Sequence, residues 1–187
     1  MISGTQNDRK RIIDIIANSF DSNKSTNYTI KQDKKRQERL RFLVEYSVFQ
    51  GEKFGEILMS RDKNAACIII FPWFKSFSLL SLIWDIKLIF KAVGLRNLNA
   101  VLKRERLLKK NHPATPFYHL WYIGVDPDHQ NKGTGSKLLE EVLENFSDKP
   151  IYLETSVTEN LRWYHKYGFE IIDVLDLGYK LYILRKQ

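Results

Sequence analysis

The stretch Val125-Asp-Pro-Asp-His-Gln-Asn-Lys-Gly-Thr-Gly-Ser136 constrains this chain more than any other. The residues just before it, 117–125, are dense in β-formers: Phe117, Tyr118, Trp121, Tyr122, Ile123 and Val125. Asp126-Pro127 stops that strand, because proline lacks an N–H and pushes its predecessor away from helical angles. Beyond the glycines, Leu138, Leu139, Val142, Leu143 and Phe146 share one face of a helix over 133–146. A strand, a short loop with Gly133 and Gly135, and a helix start together point several backbone N–H groups outward, next to positive helix potential. That is an anion site, best suited to phosphate, and glycine lets phosphate approach the backbone where a Cβ would collide. The spacing is not the G-x-x-x-x-G-K-[ST] of a P-loop. Nor is it a dinucleotide fingerprint, since Leu138 stands where the third glycine belongs. It is Q-x-x-G-x-G, filled by Gln130, Gly133 and Gly135.

The rest of the chain supplies the elements around this loop. Ile12, Ile13, Ile16 and Phe20 form the stripe of a helix over 5–20, opened by Thr5 with Asp8, and no first strand precedes it. Residues 21–30 are polar and read as a loop, followed by a helix over 34–50. Strands at 54–60 and 65–71 form a hairpin across Arg61-Asp62-Lys63-Asn64. Helices follow at 76–93 and 98–110, and two prolines mark 111–116 as a loop. Ile151–Thr155 is a strand, and Ser156 with Glu159 predicts a capping box for a helix that Gly168 ends. Strands at 169–174 and 179–184 close the chain. This order predicts a mixed α/β sheet with a crossover in the C-terminal half.

The 187 residues suit one domain. A single cysteine, Cys67, excludes an internal disulfide framework, and its apolar neighbours make it a buried structural thiol. The start has no apolar run, which predicts no signal peptide and, with the lone cysteine, a cytoplasmic, reducing setting. Charged residues break the apolar region 67–93 too often for a membrane span, leaving core, lid or interfacial helix. Net charge is +8, and the stretches 31–41 and 103–110 each carry +4. Nucleic-acid binding is one reading of them, and attraction of an anionic ligand another. No aromatic residue interleaves with the bases of 103–110, and Asp33, Glu38 and Glu105 sit within the two stretches, so solvated faces without specific nucleic-acid contact are the expectation.

Asn160-Leu-Arg-Trp-Tyr164-His-Lys-Tyr-Gly168-Phe169 follows about 25 residues after the glycine loop. The Q-x-x-G-x-G loop and this N-x-x-x-Y-x-x-x-G-F segment together resemble the GNAT N-acetyltransferase family, most of all its puromycin N-acetyltransferase-like members. The resemblance covers roughly residues 112–185 and is weak before them. It implies a mostly antiparallel sheet flanked by helices, splayed at a central strand pair beside residue 125, and one domain over 1–187. Residues 117–187 would bind acetyl-CoA, and 1–116 would supply the acceptor-site helices. It also implies acetyl-CoA as co-substrate without a metal, a small-molecule or peptide amine as acceptor, and a monomer or homodimer. Acetyl would pass by direct attack in a ternary complex. Rival classes are a CoA-binding sensor without turnover and a basic nucleic-acid-binding protein.

The resemblance places the pyrophosphate on Gln130, Asn131, Lys132, Gly133, Thr134, Gly135 and Ser136, with Asn131 where glycine is frequent. It places the pantetheine along Ile123 and Val125, with the Val125 N–H stabilising the oxyanion. It gives Asn160 a hydrogen bond to the cofactor's arm and makes Tyr164 the proton donor to the departing thiolate. The base is left open between two groups and plain water. By strand alternation His119 shares a face with Trp121, Ile123 and Val125. Glu154 is an acid inside an apolar strand, where burial demands a function or a partner such as Arg162.

Overall fold

The computed structural model describes residues 1–187. Its helices are α1 (Arg9–Ser19), α2 (Lys24–Thr29), α3 (Arg36–Phe54), α4 (Leu79–Leu88), α5 (Leu98–Asn111), α6 (Thr134–Asn145) and α7 (Glu159–Lys166). Its strands are β1 (Ile2–Ser3), β2 (Gly55–Met59), β3 (Ala65–Ile70), β4 (Tyr118–Val125), β5 (Ile151–Thr155), β6 (Glu170–Asp176) and β7 (Lys180–Lys186). The seven strands form one sheet in the order β1-β2-β3-β4-β5-β7-β6. Every neighbouring pair is antiparallel except β4–β5.

Each face of the sheet buries its own core. On one face the isoleucines of α1 and Leu40, Val44 and Val48 of α3 pack on Ile57, Ile68 and Ile70. On the other, Leu138, Leu139 and Val142 of α6 and Tyr164 of α7 pack on Cys67, Ile69, Leu120 and Leu153. Leu108 of α5 caps Leu181 and Ile183 of β7. The Cys67 thiol is fully buried and burial pushes its pKa up to about 12, so it is a packing residue. No helix is long and apolar enough to cross a membrane.

Four local expectations are corrected. A first strand exists: Ile2 and Ser3 pair with Met59 and Leu58, too briefly to show a period of two. The polar loop 21–30 contains α2, capped by Asn23, whose side chain accepts from the Thr26 N–H at 3.0 Å. The helix expected over 76–93 starts only at Leu79 and ends in one wide π-helical turn, Ile89–Val93. The Ser156–Glu159 box does not form. Thr158 occupies the N-cap position of α7, and the Ser156 hydroxyl instead accepts from the Ser25 N–H and donates to Asn23, tying the loop to α2.

Candidate acetyl-transfer site

β4 and β5 are registered at only two residue pairs, Tyr118↔Ile151 and His119↔Tyr152. Beyond them the strands diverge and the sheet opens. A cavity of ≈ 420 Å³ fills the gap, lined by Ser19 and Phe20 at the end of α1 on one side and by Ser136 of α6 and Trp163 of α7 on the other.

At the C-terminal end of β4 the backbone is free to serve this gap. Ala65, opposite Val125, spends its own N–H and C=O on Ser60. The Asp126 N–H donates to the Asn64 carbonyl, on the β3 side. Strand alternation then turns the N–H of Val125 away from β3 and into the cleft. The Val125 carbonyl accepts from the Ser19 hydroxyl at 2.7 Å and from the Gln130 side chain at 3.2 Å.

The glycine loop closes the cleft. Gly133, with φ +80°, is the left-handed residue that opens α6. The N–H groups of Thr134, Gly135 and Ser136 in its first turn have no helical partner. A Cβ on Gly135 would sit 2.9 Å from the Val125 Cγ2, so helix and strand approach as closely as glycine allows. Asn131 takes φ +60°, a conformation asparagine tolerates better than most residues, which accounts for its place where glycine is frequent. Ile123, Val125, Gln130, Asn131, Gly133, Thr134, Gly135 and Ser136 all line the cavity. The Lys132 side chain does not. Its ammonium donates back to the Asp128 carbonyl at 3.0 Å.

Asn160 and Tyr164 project from α7 into the same cavity. Trp163 Nε1 donates to Ser136 Oγ at 3.0 Å and locks α7 to α6. Burial raises the Tyr164 pKa, so its hydroxyl stays protonated.

The two candidate bases stand in one hydrogen-bonded group. His119 Nε2 lies 2.9 Å from Glu154 Oε2, and His112 Nε2 lies 3.3 Å from Glu154 Oε1. Arg162 is not the partner of Glu154. The Glu154 side chain is 5% exposed. Burial opposes its ionisation, but the two imidazoles outweigh that and hold its carboxyl well below the usual carboxylate range. His112, at the end of α5, was missed because nothing in its proline-flanked context distinguishes it. The donor atoms of His112, His119 and Glu154 lie within 4.8 Å of one another, close enough to share a metal ion. Here, though, both Glu154 oxygens already hold imidazoles.

His119 is not on the expected face. The β3–β4 register slips between Ile68 and Ile69, which pair with Tyr122 and Leu120, so Trp121 is an extra, unpaired residue. This bulge restarts the alternation. Ile123 and Val125 face the α6–α7 core, whereas Trp121 packs on the α1–α3 side with His119 beside it. His119 therefore does not line the gap between β4 and β5. It lines a second cavity of ≈ 410 Å³ between the sheet and α5, with His112, Arg104, Lys75 and Ile70. Trp121 and Glu154 line both cavities and are the partition between them.

The comparisons with known proteins agree with this fold. Residues 91–171 match the family model of the acetyltransferase (GNAT) domain. The fold is that of GNAT acetyltransferases, with the mixed seven-stranded sheet flanked by helices. A Corynebacterium glutamicum structure of histone acetyltransferase HPA2 and related acetyltransferase superposes with a TM-score of 0.71 at 18% identity, over 99% of this chain and 93% of that one. The C-terminal condensation domain of Ebony, solved with β-alanyl-dopamine, gives 0.70 at 10% identity, over 99% and 96%. Arylalkylamine N-acetyltransferase 2 from Aedes aegypti gives 0.62 at 14% identity, over 99% and 96%.

Proposed function

We propose that this chain is a cytoplasmic acetyl-CoA-dependent N-acetyltransferase built as one domain over 1–187. Residues 117–187 bind the cofactor, and 1–116 complete the acceptor side. The carrying observation is the parting of β4 from β5 directly above the glycine-opened start of α6. The gap offers the Val125 N–H, the Tyr164 hydroxyl and, at its far wall, the Glu154 carboxylate.

CoA is an anion with a narrow arm. Its pyrophosphate would sit on the N–H groups of 130–136, and its pantetheine would take the place of the missing ladder partner of Ile123 and Val125, with Asn160 bonded to the arm. The amine enters through the cavity of His119 and reaches the thioester past Trp121 and Glu154. Its nitrogen attacks the carbonyl carbon directly, and the Val125 N–H stabilises the oxyanion. The ammonium proton passes to the Glu154–His119 pair, directly or through water. His119 holds Glu154 through Nε2, which leaves Nδ1 as the imidazole's second site. As the C–S bond breaks, the thiolate takes the Tyr164 proton. A phenol with a raised pKa is a weak acid, but a thiolate released into the same dry cleft is raised in proton affinity too.

The acceptor is a primary amine, small or at a peptide end. The resemblance around Gln130 and Asn160 to puromycin N-acetyltransferase-like members of the family supports a small amine. Release of free thiol from acetyl-CoA across a panel of amines tests this reading. Amine-dependent release is the expected result. Tight CoA binding with no release under any amine would make the chain a sensor and sink the proposal.

A further inference from the structure

Nine large apolar side chains between Phe74 and Leu95 are exposed, among them Phe77 at 81%, Leu79 at 72%, Leu95 at 65% and Phe90 at 64%. No residue of α4 is fully buried. It is held only from below, where Trp84 stacks on Phe42 and Phe49, Asp85 accepts from the Tyr46 hydroxyl at 2.7 Å, and Lys53 reaches Ser81. An apolar surface of this extent is rare on a protein that meets only water. The charge around it is one-sided. Residues 74–96 hold four bases and one acid, a net +3. By contrast, four of the six bases in 31–41 are consumed in ion pairs with Asp14, Asp21 and Asp33.

We propose that the α4 segment docks the protein on a bilayer surface bearing anionic lipid, with Phe77, Leu80 and Phe90 entering the headgroup boundary and Lys75, Lys87 and Lys91 meeting the lipid charge. A helix apolar on its outer face and flanked by lysines lies in the interface rather than across it, and ten residues are too few to span. Lysine stems can cover apolar surface while carrying their charge to the headgroups, and the Lys87 ammonium lies over the Trp84 ring beside this face. Charge selects this occupant over two others. A second copy packed face to face would set like bases against each other. A nucleic acid would satisfy the bases and leave the apolar face wet. The acceptor cavity shares Pro72 and Lys75 with this segment, so docking sets its mouth near the bilayer.

The test is flotation of the full chain with phosphatidylcholine vesicles, with and without phosphatidylserine. Binding is expected with phosphatidylserine, much less without it, and falling as salt rises. Phe77→Ser with Phe90→Ser should weaken it roughly a hundredfold. Lys87→Gln with Lys91→Gln should weaken it on the order of fivefold per base, with unchanged melting temperatures. No binding to either vesicle overturns the proposal. So does equal, salt-insensitive binding to both, or a concentration-dependent dimer in sedimentation that Phe77→Ser dissolves.

Discussion

Tyr164 is enclosed on every side but the one that faces the cleft. Tyr164→Phe keeps the ring, its edge contact with Phe169 and its place in the core with Leu138 and Leu139, and removes only the hydroxyl with its proton. The expected outcome is a kcat lower by ~10²–10⁴, with the melt and acetyl-CoA affinity nearly unchanged, read by steady-state thiol release. Full activity in the Phe variant would make water the donor. Glu154→Gln separates position from charge, since the amide can still bond an imidazole. It should lower kcat/KM for the amine by ~10² or more while leaving CoA binding intact. Because the imidazoles depress the Glu154 pKa, the ionised form persists as pH falls below the ordinary carboxylate range. The wild-type rate should therefore show no midpoint near 4.5 that Glu154→Gln removes. Gly135→Ala should weaken CoA binding, because its Cβ must push Val125 away from the loop. Isothermal titration reads that loss, and an unchanged affinity would dissociate this turn from the pyrophosphate.

Elements were legible where burial imposed a period and illegible where contacts from afar decided. The Q-x-x-G-x-G loop, α6 and α7 follow from residues that repeat on one face. β1 is two residues long, and its place is set by β2 rather than by its own pattern. The expected Ser156 cap lost its hydroxyl to α2, a partner more than a hundred residues away. Most consequential, strand alternation put His119 beside Val125, whereas one unpaired tryptophan separates them onto two faces. Nothing local to Trp121 announces a bulge. Pairing Glu154 with His112 needed the path of α5, which the sequence does not reveal. The Thr5–Asp8 cap did form, and there Asp8 also takes Lys63. Hydrogen bonds from Lys63 and Thr5 lower the Asp8 pKa from 3.8 to about 2. A carboxyl depressed on folding stabilises above its unfolded pKa and loses that contribution as pH falls through the folded one. Asp8→Asn should thus melt below wild type at neutral pH, with the gap closing between pH 3.8 and about 2 in a melt series.

Across the whole molecule, the proposed reaction brings its two reactants together from different cavities. The gap between β4 and β5 runs through the sheet, the second cavity lies under α5, and both are lined by Trp121 and Glu154. CoA would complete a sheet that the polypeptide leaves open after two registered pairs. A hundredfold excess over Kd should therefore raise stability by about 2.7 kcal/mol, measurable as a shift in the melting curve. An ordinary monoanion such as acetate at the same concentration should leave the curve where it is. The extra residue in β4 acts as a parity bit. Residues before it count even toward one core, and residues after it count odd. Removing Trp121 alone would restore an unbroken count and leave Ile123 and Val125 on the face they now hold. The bulge thus adds one aromatic residue, Trp121, to the wall between the two cavities without turning Ile123 and Val125 away from the gap between β4 and β5.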